Sequence, residues 1–462
     1  MKPQPNPGQK LLLEKRGSAF DDPAFASNKT LPIHRWVPWI AGFASSFVRD
    51  ALNLSGGENR HTILDPFCGV GTALVETVLH GDNAIGFEIN PYAALASRVK
   101  VSAYQIPLEA LQGEIANFQR FYADKISSNY LPKSQSPKGF KTRSEFYSPR
   151  VLHKVAIALD FIQTIDNPRL KDLFRLAFAS TMVLYSNYSY EPSLSRRVTA
   201  GKAEILDFPV EEAIIGKLRE MAEDIAWYRE QLSEVGMNGD RQPRLDCDRD
   251  SWQKHKIIQD SFFRYSSYLE PESVDSIVTS PPYLNNYHYN RNTRPQLYWL
   301  GFAQKPQDLK HLETANFGKF WQTVRGQERI DLEFALPNTD LGDRLETIRG
   351  LNPEKGIYGG SGWANYAASY FNDCYRLAKG IVNLLKPGGT ALVVVGNSIL
   401  QGVSIPTDQY FGKIAESVGL ELVRIEIPRA TRVGNSIIRS DVRVGKAKKS
   451  QKLYEAIVEL RK

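Results

Sequence analysis

From residue 61 onward, short apolar runs alternate with stretches of helix formers. Thr62 to Leu64 is a brief apolar strand that breaks at Asp65-Pro66, and Cys68-Gly69-Val70-Gly71-Thr72 is a glycine-bearing turn. Ala73 to Leu79 holds helix formers and stops at Gly81, and Ala84 to Phe87 is a second apolar strand ended by Glu88. Strand, glycine turn, helix, and strand with a terminal carboxylate make half of a doubly wound α/β sheet. The alternation resumes at 255–262, a third strand ending in Asp260, and at 273–283, a fourth ending in Ser280. A helix over 365–385 then leads through Lys386-Pro387-Gly388-Gly389 into a strand at 390–396. A helix at 409–419 precedes strands at 420–427 and 454–460. The pattern predicts seven strands, mostly parallel, with the last one antiparallel.

The segments between these elements divide the chain. Residues 1–30 read as an N-terminal arm, and 31–100 as the first part of the core, helical after Pro38. Residues 101–250 carry amphipathic helices at 151–165, 170–186 and 210–232 and little strand signal, so they read as a helical insertion. Residues 251–462 complete the core, with a loop-rich insertion at 303–362.

Composition adds limits rather than identity. Hydrophobic residues make up 42% and charged residues 24% of the chain, as in ordinary globular proteins. The 58 basic residues against 51 acidic ones leave a net charge of +7, which permits a polyanionic partner. Three cysteines, Cys68, Cys247 and Cys374, offer neither a disulfide framework nor metal-ligand spacing. The one apolar run near the start is three leucines, too short for a signal-peptide core, and no stretch is long enough to span a membrane. A cytoplasmic location without a metal or a membrane partner is therefore expected.

A glycine-rich strand–helix turn lets backbone approach a ligand closely, and an acid ending the next strand suits ribose hydroxyls. These features alone fit a nicotinamide enzyme nearly as well. Here, however, the pattern is Gly69-x-Gly71 with no third glycine at the dinucleotide spacing, preceded by Asp65-Pro66-Phe67. Asp65 to Thr72 resembles the first motif of bacterial DNA amino-methyltransferases of the N4-cytosine/N6-adenine group. Thr279-Ser280-Pro281-Pro282-Tyr283, at the end of the fourth strand, is similar to their catalytic motif.

The resemblance implies a seven-stranded, Rossmann-like class I methyltransferase sheet that uses S-adenosylmethionine. By it, Asp65, Pro66, Phe67, Gly69, Gly71 and Thr72 hold the methionine end of the cofactor, Glu88 its ribose, and Asp260 its adenine. The segment His34-Arg35-Trp36 falls where the family has a further cofactor-binding stretch. Ser280 and the Pro281 carbonyl would accept hydrogen bonds from the target amine, beside Pro282, and Tyr283 would stack on the flipped base. Methylation at cytosine C5 needs a thiolate, typically in a Pro-Cys pair, but the three cysteines follow Phe67, Asp246 and Asp373.

Serine ahead of Pro-Pro-Tyr resembles the N4-cytosine members more than the N6-adenine ones. The expected activity is site-specific methylation of double-stranded DNA at cytosine N4. The alternatives are N6-adenine methylation, RNA base methylation, or a non-catalytic nucleic-acid-binding relative. A cognate restriction endonuclease or defence-system proteins are the implied partners, and the helical insertion is the candidate target-recognition region.

Arg291 and Arg294, amid amides and aromatics after the catalytic turn, suit phosphate contacts, whereas Tyr298 and Trp299 read as core. The stretch 186–197 offers amides, tyrosines and Arg196/Arg197 toward base or cofactor. Strand direction puts the connection between the last two strands on the substrate face. It carries Arg429, Arg432, Arg439, Arg443, Lys448 and Lys449 as candidate backbone contacts.

Overall fold

The structure, a computed structural model, describes residues 12–13, 20, 28–39, 42, 44–54, 60–190, 193–237, 255–285, 289–431 and 453–462. In chain order the strands are β1 (Leu12–Leu13), β2 (Thr62–Asp65), β3 (Asn83–Phe87), β4 (Tyr188–Tyr190), β5 (Leu194–Arg196), β6 (His255–Ile258), β7 (Val274–Thr279), β8 (Leu385–Gly396), β9 (Ser398–Leu400), β10 (Val403–Ile405), β11 (Glu421–Thr431) and β12 (Leu453–Arg461). Eight of them form one sheet in the order β1-β11-β12-β8-β7-β2-β3-β6. Strands β6, β3, β2, β7 and β8 run parallel, and β12 is antiparallel to both β8 and β11. This is the expected class I methyltransferase sheet.

Strand order reverses between β2 and β7: the chain winds outward through β3 and β6, then restarts at β7 and winds the other way. Ligands bind at such a switch point, beyond the carboxyl ends of the strands. Side chains alternate between the two faces with the period of two that strands impose. Leu64, Ile277, Val393 and Val395 pack with the helix Gly360–Leu384. Ile63, Val278, Leu392, Val394 and Ile457 face the helix Ser45–Leu54, through its Phe47, Val48 and Ala51.

The region between β3 and β6 is built on the helices Leu108–Ser127, Pro149–Thr164, Pro168–Thr181 and Val210–Met237. Their apolar faces (Phe118, Phe161, Phe174, Leu218 and Tyr228) join Leu74 and Val78 of the helix Thr72–His80 and Leu95 and Val99 of the helix Pro91–Val101 in one continuous cluster. The lobe thus shares its core with the sheet's own helices. Polar ties reinforce the junction: the Arg229 guanidinium donates to the Tyr104 and Ile106 carbonyls at 2.8 and 2.7 Å.

Four features differ from the sequence reading. Within the arm, Leu12–Leu13 pairs in parallel with Ile425–Glu426 of β11, adding an eighth strand. β11 would otherwise present an open edge of unpaired backbone groups, which such pairing covers. The helical insertion contains the hairpin β4–β5, with Tyr188 opposite Arg196. It also contains the helix Leu108–Ser127, whose single buried stripe of Leu111, Ile115, Phe118 and Tyr122 is thin among polar residues. The segment 303–362 carries short helices at Lys310–Ala315, Trp321–Val324 and Leu341–Arg349, anchored by the buried Leu312, Trp321 and Leu345. Among the described residues, no helix is long and apolar enough to cross a membrane, and no cluster of three or more His, Cys, Asp or Glu could hold a metal ion.

Candidate active site

The turn after β2 is fixed by groups on both sides. Asp65, 1% exposed, accepts the Phe67 backbone N–H at 3.0 Å and the Thr279 hydroxyl of β7 at 2.7 Å. The Cys68 N–H donates to the Phe87 carbonyl at 3.0 Å, and the Gly71 N–H to the Cys68 carbonyl at 2.7 Å. Gly69 and Gly71 have φ of +50° and +83°, where a side chain would strain the backbone. Gly71 is also crowded, since a Cβ there would lie 2.6 Å from the Ser97 hydroxyl. Cys68 is buried, and its thiol is pushed well above the ordinary range by desolvation; it packs as a small apolar side chain.

This turn, the end of β3 and the end of β7 open on one cleft. Its walls include Pro66, Phe67, Gly69, Glu88, Asp260, Ser280 and Pro282. Seven of the candidate residues, drawn from four separate stretches of sequence, therefore meet around one space. Glu88 accepts the Asn90 N–H at 2.7 Å, yet burial raises its carboxyl to about 7, only partly opposed by the backbone N–H groups of Asn90, Gly69 and Ile89. Burial lifts Asp65 likewise to about 7 against the bonds from Thr279 and Phe67.

The other candidates sit differently. Asp65, Gly71 and Thr72 are not cleft walls; they hold the turn and open the helix Thr72–His80 behind it. Asp260 lies two residues beyond β6 and is already engaged by the Ser261 N–H at 2.7 Å, the Tyr268 hydroxyl at 2.6 Å and Arg264 at 3.0 Å. Pro281 is buried, and the Tyr283 ring rests against Gly396 at the end of β8.

His34, Arg35 and Trp36 are not cleft walls; Arg35 and Trp36 dock the N-terminal segment on the helical lobe, and His34 docks it on the helix Thr72–His80. The Trp36 indole N–H donates to Asp224 at 2.8 Å, Arg35 to the same carboxylate at 2.6 and 3.1 Å, and His34 meets Glu76 at 2.7 Å. It is Trp39, three residues on, that reaches the cleft, with its indole nitrogen 3.3 Å from where a Cβ on Gly69 would be.

The sequence reading also missed an aromatic wall. Phe262, Phe263 and Phe317 line the cleft with Phe67; Phe67 meets Phe317 edge-on at 5.2 Å. Phe262 and Phe263 follow Asp260 after a single serine, Ser261, a signal available in the sequence. Phe317 arrives from the 303–362 segment with no local motif.

A second cavity, of about 190 Å³, shares Trp39 with the cleft and is walled by Tyr92, Tyr190 and Gln296. The Tyr190 hydroxyl donates to the Asn292 carbonyl at 2.9 Å, joining the hairpin to the segment after the Ser280–Tyr283 turn. Arg291 is exposed, while the Arg294 guanidinium lies 5.6 Å from the centre of the buried Tyr298 ring. Tyr298 and Trp299 are core, as expected. Arg429 is on β11 with its side chain outside the description, and Arg432, Arg439, Arg443, Lys448 and Lys449 lie outside the described residues.

A sheet of this order, with a glycine turn after its first core strand and a cleft-facing acid after its second, is the fold of class I methyltransferases, which implies S-adenosylmethionine as the methyl donor. The cleft fits that cofactor: the Gly69 turn admits close approach, Glu88 offers an acceptor for hydroxyls, and the phenylalanine wall suits an adenine ring. The model of the RMKL-like methyltransferase domain (UPF0020) matches residues 41–128. The chain is 24% identical to the Type II methyltransferase M.BsoBI of Geobacillus stearothermophilus over 89% of its own length and 83% of that protein. It is also 24% identical to M.AvaI of a Nostoc species, over 89% of this chain and 84% of that one. The corresponding figures for M.MvaI of Kocuria varians are 24%, 75% and 72%. The resemblance to bacterial DNA methyltransferases is thereby borne out along most of the chain.

Proposed function

We propose that this chain methylates an exocyclic amino group of a base in double-stranded DNA, at N4 of cytosine. The observation that carries this reading is the Ser280-Pro281-Pro282-Tyr283 turn, which opens on the same cleft as the Gly69 turn and Glu88. The bound cofactor supplies an electrophilic methyl on a sulfonium, so no nucleophilic side chain is required. Ser280 and the Pro281 carbonyl accept hydrogen bonds from the target amine and aim its lone pair, a gain from positioning. Held beside the Gly69 turn and Glu88, the cofactor would supply the methyl group that replaces one amine hydrogen, and the proton released would pass to solvent water. Two prolines in a row fix φ and withhold N–H groups, leaving the turn's carbonyls as acceptors. Tyr283 stacks on the base once it leaves the helix.

Asp65 acts by holding the turns after β2 and β7 in register through its bond with Thr279. Arg291, Arg294 and the basic residues from Arg429 to Lys449 carry the phosphate backbone. A modification role beside a cognate endonuclease is the setting this reading implies.

Expression in a methylation-free host, followed by mass spectrometry of nucleosides from its DNA and RNA, tests the proposal. N4-methylcytosine in DNA is expected. N6-methyladenine would reassign the base, and modification confined to RNA, or none, would overturn the reading.

A further inference from the structure

The Tyr283 ring, placed by the proposed function against the flipped base, is held by two residues that no motif marks. Gly396 ends β8, and Glu455 stands near the start of β12 as its cross-strand partner. The Tyr283 hydroxyl donates to the Glu455 carboxylate at 3.3 Å. A Cβ on Gly396 would come within 2.9 and 3.1 Å of two Tyr283 ring atoms. The absent side chain on one strand therefore leaves the slot in which the ring lies, and the carboxylate on the next fixes the ring's far end. The backbone around the ring is secured as well. The Asn285 N–H closes a tight turn on the Tyr283 carbonyl at 2.7 Å, and the Ser398 hydroxyl donates to the Leu284 carbonyl. Beside the pair, Asn397 and Tyr454 bond reciprocally, at 3.2 Å between backbones and 2.7 Å from the Tyr454 N–H to the Asn397 side chain.

We propose that Gly396 and Glu455 form a cross-strand seat that orients Tyr283 toward the base, making Glu455 a positioning residue. The inference rests on the proposed function, because it needs Tyr283 to touch the substrate. A ring tethered at its hydroxyl and bounded on one side by backbone has little torsional freedom left to lose when a base arrives. That preorganisation favours turnover and leaves the cofactor cleft untouched.

The test uses the purified full-length chain, labelled S-adenosylmethionine and unmethylated genomic DNA from a methylation-free host. Glu455→Ala and Tyr283→Phe should each lower kcat about tenfold, the scale of a hydrogen bond to a charged acceptor. The double variant should be no slower than either alone, since both remove one contact. Glu455→Gln, which keeps an acceptor oxygen, should recover most of the rate. Gly396→Ala, whose added methyl would push the ring from its slot, should slow turnover comparably with cofactor affinity at the parent value. Additive losses in the double variant, or matching losses of cofactor affinity, would reduce the pair to a structural role and overturn the seat. Parent rates in Glu455→Ala and Gly396→Ala beside a slow Tyr283→Ala would overturn the seat alone. A fully active Tyr283→Ala would overturn the seat and the base-stacking role together.

Discussion

The cleft above β2 and β3 and the turn above β7 and β8 occupy one edge of one sheet, but they are made in different ways. Above β2 and β3 the chain leaves atoms out: Gly69 and Gly71 take left-handed conformations, and the nearest carboxyls, Asp65 and Glu88, are desolvated until both sit near 7. Above β7 and β8 it ties groups down, through the two prolines, the Ser398 bond to Leu284 and the Tyr283 contact with Glu455. The first arrangement suits a small molecule that enters and leaves and brings its own hydroxyls to the Glu88 carboxyl on the cleft wall. The second suits a base that must meet a fixed set of acceptors. The bond from the Thr279 hydroxyl to Asp65 joins the two.

If the two regions are separable, variants in one should spare the other. The largest effect is expected from Gly71→Val. Its side chain would meet the Ser97 hydroxyl and, at 3.2 Å, the Ser97 Cα, from a backbone φ of +83°. A cost above about 2 kcal/mol is expected from strain and overlap together. Calorimetry should show loss of cofactor binding, and thermal melting should show a lower Tm. Cofactor affinity at the parent value would sink the role of the turn.

Next in size is Ser280→Ala, which should slow turnover by about 10- to 100-fold, as removal of an orienting acceptor does. Its cofactor affinity should match that of the parent. Equal losses in both quantities would mean that the two regions act as one.

A smaller, pH-dependent effect belongs to Glu88. Its folded value of about 7 lies above the roughly 4.3 of an unfolded glutamate, so between those values the folded chain holds a proton that the unfolded chain has released. Stability of the cofactor-free protein should therefore fall as pH rises from about 4 to about 7, then level off. Hydroxyl donors favour the carboxylate, so cofactor affinity should rise across the upper part of that window with release of a proton. Glu88→Gln should flatten that rise and lower affinity about tenfold at pH 8, the scale of one charged hydrogen bond. Asp65, raised by the same cause, should keep part of the stability slope in this variant. A pH profile of affinity unchanged in Glu88→Gln would remove Glu88 from the cofactor site.

The same contrast governs how much could be read from sequence. The turn and the wall beside it were legible because a tight strand–helix turn and an acid at a strand end demand particular residues: Gly69 and Gly71 in the turn, and Glu88 on the wall. The alternation of short strands and helices likewise gave the seven long strands. Residues that act through tertiary contact carried no local mark. Trp39 reaches the cleft while Trp36, in the same stretch, is drawn to Asp224 of the helix Val210–Met237, a partner 188 positions away. Phe317 comes from a segment with no sheet periodicity, and its place is fixed by packing against Phe67 and Tyr370. Asp260 was legible by type and by its place at the end of a strand, and it does line the cleft, but its bonds to Tyr268 and Arg264 carried no local mark. Two-residue β1 and three-residue β4 and β5 are too short for any period to show, and pairing alone makes them strands.

The smallest effect on the chemical step is expected from the basic connection between β11 and β12, where strand direction rather than any motif makes the argument. β11 is antiparallel to β12, and β12 to β8, so β11 points the same way as the parallel strands. Thr431 at its end pairs with Leu453 at the start of β12, which fixes both ends of the connection on the edge where Ser280 and Glu88 lie. The residues between them include Arg432, Arg439, Arg443, Lys446, Lys448, Lys449 and Lys452 against a single acid, Asp441. Phosphate contacts add affinity without sequence information, and each one lost lowers the slope of log K against log salt by about 0.9. Replacing Arg439, Arg443, Lys448 and Lys449 by glutamine should weaken binding to all duplexes alike and flatten the salt dependence by up to four such steps. Cofactor affinity, and kcat at saturating DNA, should stay at parent values, because neither the cleft nor the Tyr283 turn is touched. Filter-binding titrations of one duplex across a range of salt concentrations decide the matter: a slope equal to the parent's would show that the connection does not meet the phosphates.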